Sequence, residues 1–122
     1  MEGILVVEDE IAMAENIVAL LAARGYKVSA CADGSAALEL ARKDPPALIL
    51  LDVMLPRLSG FDVCKLLRED ARTAKAKIIM VTGLDRGGDV ENAFAAGADD
   101  YIIKPFDSDR LVKKVQKALA AP

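Results

Sequence analysis

Four short apolar runs punctuate the chain: Ile4-Leu5-Val6-Val7, Ala47-Leu48-Ile49-Leu50-Leu51, Ile78-Ile79-Met80-Val81 and Tyr101-Ile102-Ile103. Runs this short and this apolar read as strands covered on both faces, as in parallel sheets. Between them, apolar residues recur at helical spacing. Met13, Ile17, Leu20 and Leu21 fall at i, i+4, i+7 and i+8, a helix face that Gly25 closes as a C′ residue. Ala36 to Arg42 predicts a short helix, ended by Pro45-Pro46. Phe61, Val63, Cys64, Leu66 and Leu67 mark a third helix beginning near Gly60. Val90, Ala93 and Phe94 mark a fourth, stopped by Gly97. Leu111, Val112, Val115 and Leu119 form the buried stripe of a fifth, capped by Asp107 or Ser108. One further strand, Tyr26 to Cys31, alternates Tyr26, Val28 and Ala30 against Lys27 and Ser29, which suits an edge with one wet side.

Strict alternation of five strands and five helices predicts an α/β fold: a parallel sheet covered on both faces, in one domain spanning residues 1–122. Composition narrows the function classes. The apolar fraction is 53%, but no apolar stretch approaches the length a membrane span needs. Met1-Glu2-Gly3 is acidic and runs straight into a strand, so no signal peptide is expected, and the cytoplasm is the expected location. A net charge of −3 with interspersed signs leaves no electrostatic footprint for nucleic acid. There is no histidine, and Cys31 and Cys64 form no C-x-x-C pair, so a zinc site or a Cys-His nucleophile is excluded and buried reduced thiols are expected.

The chemistry collects where the strands end. Asp52 closes the second apolar run, with Pro56 and Gly60 after it. Glu8 and Asp9 follow the first run, Thr82 the third and Lys104 the last, just before Pro105. Open α/β sheets bind ligands in the crevice outside the carboxyl ends of their strands. Three acids there repel one another unless a cation intervenes. A hard divalent ion with oxygen ligands answers this, and Mg²⁺, which keeps room for water and phosphate oxygens, fits better than Ca²⁺. Lys104 and a hydroxyl complete a set able to hold a phosphoryl group and spread its charge, and a carboxylate nucleophile opens the route to an aspartyl phosphate. Each signal is weak alone. Glu8-Asp9-Glu10 could cap the first helix, Thr82 could be an ordinary strand-end hydroxyl, and Asp99-Asp100 reads as a solvated turn. Joint placement at four strand ends carries the inference.

The segments ILVVEDE, LILLDVMLPRLSGFDVCKLLR, IIMVTG and GADDYIIKPF resemble the receiver domain of bacterial two-component response regulators, over essentially the whole chain. That resemblance implies a flavodoxin-like, doubly wound sheet of order 2-1-3-4-5. It implies Mg²⁺-dependent phosphorylation of Asp52 by a sensor histidine kinase or phosphotransfer protein. It places the metal on Glu8, Asp9, Asp52 and the backbone carbonyl of Met54, the phosphate on Lys104, and the switch on Thr82 and Tyr101. Phosphorylation would draw Thr82 inward, let Tyr101 turn to a buried position, and reshape the face of the fourth helix, fifth strand and fifth helix for an effector or output domain. No direct contact with nucleic acid or membrane is implied for this domain.

Departures from the family pattern are small. Glu8 stands where Asp is commoner, which lengthens that arm. Gly83 stands where Ala or Ser is usual, and the Ala93-Phe94-Ala95-Ala96 helix is poor in the charges that pair receivers in DNA-binding members. Met54 and Leu84 border the path of the hydrolytic water in the family's geometry, and Arg86-Gly87-Gly88 is the most flexible-looking stretch. Two rival readings differ in class. A pseudo-receiver would dispense with phosphate, against which Asp52, Thr82 and Lys104 all stand. A haloacid-dehalogenase-like phosphatase requires a second Asp two residues after the nucleophile, where this chain has Met54. A glycine-rich nucleotide loop is excluded because Glu8-Asp9-Glu10 follows the first strand.

Overall fold

The computed structural model describes residues 3–83 and 88–120. Strands and helices alternate throughout: β1 (Gly3–Val7), α1 (Ile11–Ala23), β2 (Lys27–Cys31), α2 (Gly34–Lys43), β3 (Leu48–Asp52), α3 (Gly60–Glu69), β4 (Lys77–Gly83), α4 (Asp89–Ala96), β5 (Asp100–Lys104) and α5 (Ser108–Ala120). The five strands form one parallel sheet in the order β2-β1-β3-β4-β5. This is the flavodoxin-like, doubly wound arrangement, with its switch point between β1 and β3.

Period-two alternation divides the core into two layers. Leu5, Val7, Ile49, Leu51, Ile78 and Met80 point to the side covered by α2, α3 and α4. Ile4, Val6, Leu48, Leu50, Ile79, Val81 and Ile102 point to the side covered by α1 and α5. The central strand β3 is buried at every position, which explains why it reads as an unbroken apolar run.

Local sequence sets the helix ends. After α1, Gly25 takes φ +92°, the Gly25 N–H donates to Ala22 O and the Tyr26 N–H to Leu21 O. That pair of bonds is a Schellman cap, and the left-handed residue within it is the reason for the glycine. Asp33 caps α2 by accepting from the Ala36 N–H at 2.8 Å, and Ser59 caps α3 by accepting from the Asp62 N–H. Asp107, rather than Ser108, caps α5, accepting from the Arg110 N–H at 2.7 Å.

Several expectations need correction. The second helix begins at Gly34, not Ala36, because Asp33 supplies the cap two residues earlier. β2 begins at Lys27, and Ala30 is exposed on this edge strand. Phe94 lies on the outer face of α4, 47% exposed, rather than in the core with Ala93. Cys64 is buried, but Cys31 is only half-buried.

Candidate functional site

Parity of the strands determines which side chains meet. Glu8 follows Val7 and shares the side of Val6, Asp52 shares that of Leu50, and Lys104 that of Ile102, so all three lie toward α1 and α5 at the carboxyl rim. Thr82 and Tyr101 have the opposite parity, that of Met80. Tyr101 accordingly packs against the α3–α4 layer.

At the rim, Lys104 Nζ lies 3.0 Å from Glu8 Oε1 and 3.1 Å from Asp52 Oδ2. The second oxygen of each acid is bound to main chain. Asp52 Oδ1 accepts from the Met54 N–H, and Glu8 Oε2 from the Glu10 N–H, both at 3.1 Å. Glu10 stands at the N-cap of α1 but makes no side-chain cap hydrogen bond. Glu8 and Asp52 are each only 4% exposed, while Asp9 is open to solvent. Oxygens of Glu8, Asp9 and Asp52 lie within 4.8 Å of one another, close enough to share one cation.

Charge does not balance here. One ammonium faces two buried carboxylates, with a third beside them. Burial pushes Glu8 up to about 7, against the bonds from the Glu10 N–H and Lys104; the charge of Asp52 adds to the rise. Burial works against the charge of Lys104, but its bonds to Glu8 and Asp52 more than offset that and hold it protonated. The cleft therefore has an excess negative charge, relieved by a proton on Glu8 or by a cation. Three carboxylate arms and an open side suit a hard divalent ion such as Mg²⁺.

The β3–α3 loop is shaped by two residues. A Cβ on Gly60 would run into the backbone carbonyl of Asp52 and crowd Val53, so only glycine lets α3 start directly against the end of β3. Arg57 takes φ +67°, and the Leu58 N–H donates to Pro56 O at 2.7 Å, a γ-turn with a non-glycine residue in the left-handed region. Its guanidinium is 82% exposed and lies 3.8 Å from Asp33. Met54 on this loop is 56% exposed. Leu84, Arg86 and Gly87 lie outside the described residues.

On the opposite face of the sheet, Thr82 of β4 is buried and Tyr101 of β5 is half-buried. The Tyr101 ring packs edge-on against Phe94 at 5.9 Å and lies under Lys114 Nζ at 5.0 Å. Lys114 also bonds Asp100 Oδ1 at 3.0 Å. Asp99 is exposed in the turn before β5, as expected, and outside the acidic cluster, but it is also bonded: its Oδ2 accepts from the Ile78 N–H and from Arg68 Nη2, both at 2.8 Å. Sequence reasoning missed Arg68 and Asp99. Most of the acceptors around Arg68 are main-chain carbonyls, which leave no side-chain pattern to read.

A family model for the response regulator receiver domain matches residues 4–116. The chain is 40% identical over 119 residues to the DNA-binding dual master transcriptional regulator RpaA of Synechocystis, covering 98% of this chain and 49% of that protein. It is 41% identical over 113 residues to the response regulator PleD of Caulobacter vibrioides, covering 93% of this chain and 25% of that one. The chain thus spans half or less of these relatives. Among solved structures, the receiver domain of sensor histidine kinase PA1611 from Pseudomonas aeruginosa, with a magnesium ion in its active-site cleft, superposes with a TM-score of 0.91 at 33% identity, covering 98% of each chain. The chemotaxis response regulator CheY4 of Vibrio cholerae gives 0.91 at 31% identity, covering 98% of this chain and 99% of that one.

Proposed function

This chain belongs to the response regulator receiver domain family, and from that premise we propose that Asp52 is its phosphoacceptor and that phosphorylation drives a two-state switch. The observation that carries the reading is the bridge of Lys104 to both Glu8 and Asp52 inside a cluster of three acids. A carboxylate so placed is fixed by the Met54 N–H on one oxygen, and the other faces the fixed positive charge that a phosphoryl oxygen would need.

In this reading an Asp52 oxygen attacks the phosphorus of a phosphohistidine or acyl phosphate. The P–O bond to Asp52 forms as the bond to the donor nitrogen or oxygen breaks, and the leaving group takes that electron pair. Glu8, Asp9 and Asp52, with the main chain at Met54, would hold Mg²⁺. The ion supplies charge neutralisation, so that two anions can meet. Lys104 gives up its carboxylates to bind the phosphoryl group, and Thr82, one strand over, closes on it from the side of α4. Space released near Thr82 lets Tyr101 leave its place between Phe94 and Lys114. The face of α4, β5 and α5 then changes shape for an output domain or effector, and a sensor histidine kinase or phosphotransfer protein supplies the phosphate in the cytoplasm. A differential of a few kcal/mol between the two states inverts their populations.

Incubation with acetyl phosphate and Mg²⁺ should add one phosphate by intact mass, none after chelation, and none in Asp52→Asn. Equal labelling of Asp52→Asn would overturn the assignment.

A further inference from the structure

The β3–α3 loop carries Met54, and the first turn of α2 braces it from outside. Gly34 opens α2 and is buried. A Cβ on Gly34 would lie 2.6 Å from Val63 Cγ2, 3.2 Å from Leu58 Cδ2 and 3.3 Å from Leu58 Cβ. Gly34 is helical, so no left-handed conformation calls for the glycine. What the position requires is the absence of a methyl group. α2 starts where it does because Asp33 caps it. The Asp33 carboxylate accepts from the Ala36 N–H at 2.8 Å, and its carbonyl from the Ala37 N–H at 3.1 Å. Cap and glycine together seat the start of α2 directly on Leu58.

Bonds within the loop are local. The Leu55 N–H donates to Val53 O at 3.2 Å, the Leu58 N–H to Pro56 O at 2.7 Å, and the Gly60 N–H returns to Val53 O at 3.0 Å. They fold the loop on itself and fasten its two ends. The pair between Arg57 and Asp33 spans 3.8 Å at the surface and contributes little. Placing the loop tip against α2 therefore falls to Leu58, which packs on the core of this layer. Four residues earlier, the Met54 N–H holds Asp52 Oδ1 at 3.1 Å. We infer that Gly34 is a positioning residue for the Asp52 carboxylate: having no side chain, it lets the start of α2 act as a stop for Leu58, and the stop keeps the Met54 N–H on Asp52 Oδ1. Its consequence for phosphoryl transfer rests on the reading of Asp52 as phosphoacceptor; the stop itself does not.

The same connection backs the second buried acid. At the end of β2 the Cys31 carbonyl accepts from the Glu8 N–H at 3.0 Å, and the Cys31 thiol lies 3.9 Å from Asp33 O. Residues 31–34 thus run from the main chain of Glu8 to the tip of the Asp52 loop. One short piece of chain supports both carboxylates that Lys104 bridges. Interiors are close-packed, so a methyl group added at Gly34 must displace something. α2 is held in the core by Ala37, Leu38 and Ala41, whereas the loop is at the surface, with Met54 and Arg57 exposed. The loop is therefore the part that gives way, and its movement draws the Met54 N–H from Asp52. A hydrogen bond weakens steeply as its angle closes, so a small displacement suffices.

Perturbing the contact in opposite directions tests the stop. Gly34→Ala overfills it, and Leu58→Ala empties it. Ala41→Gly, two turns further along α2, loosens the helix away from it. In metal-free buffer, exchange of the Met54 amide relative to the amides of β1 and β4 should rise roughly fivefold or more in the first two variants. In Ala41→Gly it should stay within about twofold of the wild type, however far the melting temperature falls. With acetyl phosphate and Mg²⁺, the first two should take up phosphate roughly tenfold more slowly, and Ala41→Gly within about twofold of the wild type. Combining Gly34→Ala with Leu58→Ala should restore part of the rate lost in Gly34→Ala, since the added methyl group then fills space that Leu58 vacated. If Gly34→Ala does not fold, Leu58→Ala against Ala41→Gly decides. Met54 exchange that is unchanged in the contact variants, or raised equally in Ala41→Gly, would overturn the stop. Raised exchange with an unchanged labelling rate would overturn the positioning of Asp52. A wild-type protein that takes no phosphate would instead overturn the phosphoacceptor reading, and exchange would then judge the stop alone.

Discussion

Two places in this fold gather several acceptors around one cation, and they solve the problem in opposite ways. At Arg68 every partner is matched: three carbonyls and one carboxylate receive one guanidinium, and the carboxylate also takes a main-chain N–H. At Lys104 the match is short, with one ammonium for Glu8 and Asp52 and with Asp9 alongside. The first arrangement is satisfied and holds elements in place. The second retains unspent negative charge, which is what a site that must accept a cation and a phosphoryl group requires. Functional sites commonly give up stability in this manner.

The contrast predicts opposite signs for similar mutations. Arg68→Met leaves three carbonyls and Asp99 without their donor, and should cost about 2–3 kcal/mol of unfolding free energy. Asp52→Asn keeps an acceptor for the Met54 N–H while removing one of two like charges, and should raise stability by about 0.5–1 kcal/mol in metal-free buffer. Urea unfolding of the two variants beside the wild type checks both. If Asp52→Asn proves as damaging as Arg68→Met, the two places are not different in kind.

Titration sharpens the same contrast. Burial raises Glu8 from its ordinary 4.5 to about 7, so between those values the folded protein binds a proton that the unfolded chain has lost. The contribution of Glu8 is thus most favourable below pH 4.5 and declines as pH rises through about 7. The metal-free protein should lose about 1–2 kcal/mol from this group across that window, less than the full shift implies because water reaches the cleft. Glu8→Gln should flatten the profile, and millimolar Mg²⁺ should restore stability at the upper end by binding the ionised cluster. An unchanged profile in Glu8→Gln would show that the proton resides elsewhere.

Kinetics at the open side of the cleft come next in size. Attack on the aspartyl phosphate needs an aligned water, and an apolar side chain cannot orient one by hydrogen bonding. Met54 is exposed beside the Asp52 loop and is of that kind. Self-dephosphorylation should therefore take minutes or longer. Met54→Asn should quicken it several-fold, about 1 kcal/mol in barrier. Following loss of phosphate by intact mass gives both rates, and a wild-type half-life of a few seconds would contradict the argument.

What the sequence made legible, and what it hid, follows the same division. Strand ends are visible in sequence because apolar runs stop where a carboxylate, hydroxyl or lysine begins. Glu8, Asp52 and Lys104, which the fold joins at the rim, could therefore be placed together before any contact was known, whereas the strand end at Thr82 gave no sign that its side chain lies on the opposite face. The parallel order followed from alternation of runs and helices. Arg68 was invisible because it acts on carbonyls and on Asp99, 31 positions away. Asp99 looked like half of an acidic turn, and nothing in the dipeptide separates the acid that bonds Ile78 and Arg68 from the one that bonds Lys114. Phe94 failed for another reason. Its spacing suits a helix face, but α4 is only eight residues long and buries only Asp89, Ala93 and Ala96, so Phe94 packs on Tyr101 instead of in the core.

The smallest predicted effect concerns how the two regions turn the chain to positive φ. Beside Arg68 the turn is made by Gly97, for which this conformation is free of Cβ strain. In the Asp52 loop it is made by Arg57, a residue that pays about 1 kcal/mol or more to be there. The Arg57 side chain regains little, since it is 82% exposed and its 3.8 Å approach to Asp33 is a surface pair. Replacing it with glycine removes the strain but lowers the order of the folded chain relative to the unfolded one, an opposing term of about 0.5–1 kcal/mol. The balance should favour Arg57→Gly by a few tenths of a kcal/mol, whereas Gly97→Ala, which adds both strain and a collision with Arg68, should be clearly destabilising. Melting temperatures of the two variants decide it. Should Arg57→Gly melt below the wild type, the arginine stabilises the Asp52 loop by more than its single pair with Asp33 can explain.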